Sequence, residues 1–150
     1  MRLTSDAFDD GEPIPERYGY RAENVNPPLT VHDVPDEAET LALVVDDPDA
    51  VEPAGTVWDH WVVWNLPAET TTIPAGFDPE SAGAAEGTND YGEVGYGGPN
   101  PPDRRHTYRF VARALDTALA LDRGETKAEL ERAVEGHVVA EAHLSGTYAP

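Results

Sequence analysis

His60 places an ionisable imidazole inside the apolar run Trp58-Asp-His-Trp-Val-Val-Trp64, which holds all three tryptophans of the chain. An imidazole in such a stretch must find a hydrogen-bond partner or stay neutral. Two further short runs carry groups of the same kind. Asp47-Pro-Asp49 closes one apolar stretch, and His106-Thr-Tyr108 opens another. In each run the functional groups stand two residues apart, so on an extended chain they project from one face. Three such strands side by side would gather two carboxylates, two imidazoles, an indole and a phenol at one end of a sheet. Imidazole, phenol and backbone N–H groups donate to an anion such as phosphate or a carboxylate, with Asp47 orienting an imidazole from behind. The same Asp47, Asp49, His60 and His106 could instead surround a divalent cation. The sequence has no HExxH, no His-x-His and no cysteine, so that pattern is weak. Nucleophilic catalysis is weaker still, because neither Ser81 nor Ser145 sits in a G-x-S-x-G elbow.

Each run alone has a plainer explanation. Asp47-Pro48-Asp49 is turn chemistry, and His60 could be a core histidine satisfied by a backbone carbonyl. The threefold repetition favours a site. His32 stands alone, His137 falls on the apolar row of a helix and His143 shares a strand face with Glu141, so these three read as structural or surface residues.

The elements that must position these groups are mostly strands. Thr40 to Asp46 reads as a buried strand, and Val57 to Leu66 as another, closed by Pro67. Strict alternation puts His60 on the face of Trp58, Val62 and Trp64, and His106 with Tyr108 on the face of Phe110, Ala112 and Ala114. Ala68 to Arg105 is irregular, rich in glycine and ending in Pro99-Asn-Pro-Pro102. A connection of this length inside a compact domain points to function. Strand character returns from His106 to Leu115. Thr126 and Glu129 form a capping box, followed by Leu130, Ala133, Val134 and His137 at helical spacing. Val138 to Leu144 alternates as a final strand. The pattern predicts one domain over residues 1–150, an antiparallel sandwich with a peripheral helix.

Charge separates the classes of partner. Asp and Glu number 29 against 10 Lys and Arg, a formal net charge of −19, and Lys127 is the only lysine. The acids are spread along the chain, which suits a protein of multimolar salt. At about 1 M the Debye length is only about 3 Å, so self-repulsion is screened while the carboxylate surface stays hydrated. Nucleic acid and anionic membranes are poor partners for such a chain. With no apolar run near the roughly 20 residues of a membrane helix and no signal-like start, the expected compartment is the high-salt cytoplasm of a halophile.

Several runs together resemble the phosphatidylethanolamine-binding protein family, in its compact bacterial and archaeal, Raf kinase inhibitor-like branch. They are Asp46-Asp-Pro-Asp-Ala50, His60-Trp-Val-Val-Trp-Asn-Leu-Pro67, and Gly87-Thr-Asn-Asp-Tyr-Gly-Glu-Val-Gly-Tyr-Gly-Gly-Pro99 continuing through Pro101-Pro102 to His106-Thr-Tyr108. Ile14-Pro-Glu-Arg-Tyr18, Asn24-Val-Asn-Pro-Pro-Leu29 and Gly146-Thr-Tyr148 agree as well, so the likeness covers nearly the whole chain. The resemblance implies a mainly β fold, a two-sheet antiparallel Greek-key sandwich with a few short helices. It implies an anion pocket at Asp47, Asp49, Trp58, His60, Pro101, Pro102, His106 and Tyr108, taking a small anion or a phosphorylated small molecule without a cofactor. In that pocket His60, His106 and Tyr108 donate and Trp58 forms a wall. It implies a binding module before an enzyme. The alternatives are an inhibitor or scaffold of a kinase or protease, with a protein partner, and a hydrolase using the Asp/His cluster as acid and base. Relatives in this branch are often homodimers. Three departures stand out: Val51-Glu52 inserted before Pro53, Thr107 in place of an arginine, and Asp103-Arg104-Arg105 before the histidine. The insertion is expected to reshape the pocket rim, and either arginine is a candidate for restoring the missing charge.

Overall fold

The computed structural model describes all of residues 1–150. The chain runs through β1 (Arg2–Thr4), β2 (Leu29–His32), β3 (Thr40–Asp47), α1 (Val51–Ala54), β4 (Trp58–Pro67), β5 (Thr72–Ile73), β6 (Ala85–Glu86), β7 (His106–Leu115), α2 (Lys127–Val134) and β8 (Val138–Tyr148). Every strand pairing is antiparallel. A small sheet has the order β1-β2-β5, and a large one the order β6-β4-β3-β7-β8. In the large sheet β7 returns after a long connection to lie beside β3, which is the Greek-key step.

Apolar residues on both faces of the large sheet make β3 its centre. All eight residues of β3 are buried. Leu41, Leu43 and Val45 point to the small sheet and pack with Leu29, Val31, Ile73, Trp61 and Phe110. Ala42 and Val44 point the other way, where Val62 and Trp64 meet Leu130 and Val134 of α2. The helix starts where the capping box places it, with the Thr126 hydroxyl accepting from the Glu129 N–H at 3.3 Å. It ends at Val134, one turn earlier than the apolar spacing suggests. His137 lies beyond it and pairs with Asp116 at 2.8 Å.

The alternation expected for β4 fails at one point that matters. Val45 pairs with Trp61 and Asp46 pairs with Asp59, so His60 is the extra residue of a β-bulge. Val62 and Trp64 consequently face the helix, while Trp61 and Val63 join the sandwich core. Trp58, opposite Asp47, and His60 itself are returned to the end of the inner face.

Outside the long strands, the sequence underestimates order. The 68–105 segment contains β5, β6 and a short 3-10 turn at Pro79–Ala82. The final strand runs on to Tyr148, because residues 12–14 pair with its far end through the Ile14 N–H to the Thr147 carbonyl (2.7 Å) and the Thr147 N–H to the Glu12 carbonyl (3.0 Å).

Candidate ligand-binding pocket

Where β3 ends and β4 and β7 begin, a cavity of about 200 Å³ opens. Asp47, Trp58, His60, Pro101, Pro102 and His106 line it, joined by Ala50, Pro53, Ala54, Tyr91 and Asn100. Six of the eight residues expected from sequence therefore meet at one hollow. The other two lie beside it. Asp49 belongs to a 3-10 turn at Pro48–Ala50, not to the strand, because the Asp47 carboxylate caps that turn by accepting the Asp49 N–H at 2.9 Å. The Asp49 carboxylate faces away and takes the Thr107 N–H at 2.8 Å. Tyr108 stands behind the two imidazoles, its ring 5.2 Å from that of His60 and 6.3 Å from that of His106.

The glycine-rich segment holds His60. Its ring Nδ1–H donates to the Gly97 carbonyl at 2.7 Å, and the Gly97 N–H donates back to the His60 carbonyl at 2.9 Å. A side chain at Gly97 would drive into the Tyr91 ring, and one at Gly98 into the Tyr18 carbonyl, which is why the segment needs both glycines. Tyr91 locks the arrangement by donating its hydroxyl to the Gly98 carbonyl at 2.8 Å. Burial pushes the His60 imidazole below its ordinary range, against the pull of the Gly97 carbonyl and the Asp47 charge. His60 is therefore neutral, with its proton on Nδ1. Its Nε2 is an acceptor toward the cavity, not the donor expected from sequence.

His106 is its electrostatic opposite. The ring is 1% exposed, and both nitrogens face carboxylates: Nδ1 donates to Asp47 at 2.6 Å and Nε2 to Asp103 at 2.7 Å. Burial works against the charge, but these two hydrogen bonds outweigh it and hold the imidazole above its usual range. Tyr108 has a buried hydroxyl with no partner. Burial and then the Asp47 charge hold its phenol far above the usual range, so it remains a neutral O–H donor. The Trp58 indole N–H is likewise buried and unpartnered. No group of three or more His, Cys, Asp or Glu is arranged to hold a metal ion.

The family model for the phosphatidylethanolamine-binding proteins matches residues 4–149. The chain belongs to that family. As a member, it is 46% identical over 153 residues to a UPF0098 protein of Methanothermobacter thermautotrophicus and 44% identical over 152 residues to one of Chlamydia muridarum, each comparison covering 99% of this chain and 98% of the relative. The crystal structure of CT736, a phosphatidylethanolamine-binding protein homologue of Chlamydia trachomatis, superposes with a TM-score of 0.90 at 43% identity, over 98% of this chain and 95% of that one. Escherichia coli YbcL, described as a member of the mammalian family, superposes at 0.89 with 31% identity, over 98% and 96% of the two chains.

Against the family pattern, the residues that depart now have positions. The inserted Val51-Glu52 builds α1, whose Pro53 and Ala54 form part of the cavity wall. Arg104 is turned outward, held by Glu52 at 3.1 Å and near Asp49 at 3.8 Å, and Arg105 lines a neighbouring cleft. Neither arginine supplies charge to the pocket. Asp103 was visible in the sequence only as a departure from the family, because nothing in a linear run shows that a turn returns it to the ring three residues on. Tyr91, Asn100 and the α1 residues carried no signal separable from loop composition.

Proposed function

We propose that this phosphatidylethanolamine-binding family protein is a non-catalytic binding module whose pocket takes a protonated phosphate oxyanion, free or as a monoester, in exchange for Asp103. The observation that carries this reading is the Asp103 carboxylate on His106 Nε2. It is an oxyanion already seated on the one cation of the pocket, and its side chain is 38% exposed. A monohydrogen phosphate matches the two imidazoles in turn: its oxygen replaces Asp103 on the cationic His106, and its O–H donates to Nε2 of His60. Trp58, Tyr91 and the prolines supply apolar walls for the ester's carbon body.

The test is calorimetric titration with inorganic phosphate and phosphoethanolamine in concentrated KCl. Asp103→Asn removes the competing carboxylate and is expected to tighten phosphate at least about tenfold, the lower end of the about 1.5–3 kcal/mol of a charge-assisted hydrogen bond. His60→Ala is expected to abolish binding. Equal affinity in wild type and Asp103→Asn, or binding that survives His60→Ala, would remove the basis for the reading.

The acidic composition supports, in our reading, a high-salt cytoplasm. The protein's thermal midpoint is expected to fall on transfer from about 3 M to about 0.05 M KCl, as the Debye length grows from a few ångströms to more than 10 Å and the −19 charge is no longer screened. A melt equally cooperative at both concentrations would exclude that placement.

A further inference from the structure

Seven of the ten Lys and Arg side chains are in ion pairs with carboxylates. The three that are not are Arg2, Arg21 and Arg105. In a chain with 29 acids, a guanidinium without a carboxylate is the exception. Two of these exceptions, Arg21 and Arg105, face one cleft of about 480 Å³, larger than the pocket at His60. Arg105 arrives there by alternation at the start of β7, where His106 turns into the pocket and its neighbour turns out of it, and Arg21 arrives from the turn that follows Tyr18. The half-buried Asn100 lies in the wall that the two hollows share and offers a further N–H donor.

We infer that this cleft is a second anion site, for a phosphomonoester carried on a ring-sized apolar body. Two guanidiniums match a dianionic phosphoryl group, each able to present paired N–H donors to its oxygens. Against the two guanidiniums stand the Glu16 carboxylate and the carboxyl end at Pro150, so the cleft is about neutral on a protein of net −19 and repels an anion less than the rest of the surface does. Ile14, Pro99 and Tyr148 form the apolar wall against which the body packs. Tyr148 is fixed for that role by its hydroxyl, which donates to the Glu16 carbonyl at 2.9 Å. The volume falls within the range of about 300–1,000 Å³ typical of small-molecule sites.

The site is separate from the His60 pocket, and the experiment keeps the two apart. Isotopically labelled protein in concentrated KCl is titrated with phenyl phosphate, with inorganic phosphate as the arm that lacks a body. The arginine side-chain N–H resonances report the cleft, and the Gly97 amide reports the pocket. Phenyl phosphate is expected to shift Arg21 and Arg105 saturably, and inorganic phosphate to do so at least about tenfold more weakly. The double variant Arg21→Gln/Arg105→Gln is expected to lose the cleft response by at least about tenfold while keeping the Gly97 response unchanged. Both substitutions are at exposed positions, so folding is preserved. In His60→Ala the arginine shifts are expected to persist. Shifts that never saturate, that appear equally with inorganic phosphate, or that vanish in His60→Ala would overturn the second site.

Discussion

Replacing His106 with alanine is expected to destabilise the fold by about 3–5 kcal/mol, the range for removing one partner of a buried ion pair. The cause is what remains. Asp47 is 3% exposed, and without the imidazolium its carboxylate keeps only the Asp49 N–H. His106→Ala with Asp47→Ala should be less unstable than the sum of the single variants, because the second change removes the stranded charge. Denaturant titration of the four proteins gives the coupling, and strict additivity would show that the pair carries no special weight. The same group sets a pH dependence with a definite sign. Its folded value lies above the unfolded imidazole value of about 6.5. Its contribution is therefore complete below about 6.5 and is lost as pH rises through the folded value. His60 acts in the opposite sense: its folded value is depressed, so the unfolded chain takes up the proton first and stability falls as pH drops below about 6.5. A melting profile across pH should lose its alkaline decline in His106→Ala and keep its acid decline.

The second large effect is expected on the opposite face, at the only lysine. Lys127, in the first turn of α2, lies 2.7 Å from Asp59 and 3.2 Å from Asp46, which also receives two bonds from Arg109 at 2.8 and 2.9 Å. The two carboxylates are directly paired across β3 and β4 and are mostly buried. Burial already holds the Asp59 carboxyl above its ordinary range against the attraction of Lys127. Lys127→Met is expected to cost about 3 kcal/mol, at the lower edge for a buried pair because the ammonium retains some exposure and Arg109 still serves Asp46. Adding Asp59→Asn should recover about half of the loss by removing the repulsion. A loss under about 0.5 kcal/mol in urea titration would place Lys127 with ordinary surface lysines.

Much of this arrangement was legible because apolar periodicity is a local signal. His106–Leu115 alternates from His106 to Phe110, continues as an apolar run, and is a strand over those same residues. Thr126 and Glu129 mark the start of α2 because a cap is made within four residues of chain. The two plain explanations offered by the sequence also hold locally: Pro48–Ala50 is a turn, and a backbone carbonyl does satisfy His60. Neither prevents Asp47 or His60 from lining the pocket. What alternation could not show is the bulge at His60, since a bulge is a mismatch between two strands and leaves no trace in either one alone. The strands β1, β2 and β5 were missed for a related reason. They are two to four residues long, and their order comes from packing onto the large sheet, not from their own composition. The charge state of each imidazole lay beyond the sequence as well, because it depends on whether a carbonyl or a carboxylate stands opposite.

Asp47 and His106 are 59 residues apart in sequence, yet they meet across the central pairing of β3 with β7. The hairpin of β3 with β4 is local, whereas this pairing must close a long stretch of chain and bears the entropy of doing so. The pocket thus has no existence on the way to the folded state until that closure is made. A ligand held by these residues has nothing to grip earlier, so its stabilisation falls on the rate of unfolding and leaves the rate of folding nearly untouched. In a cell, occupancy of the site would act as a lock on a finished molecule, prolonging its lifetime without helping it to fold.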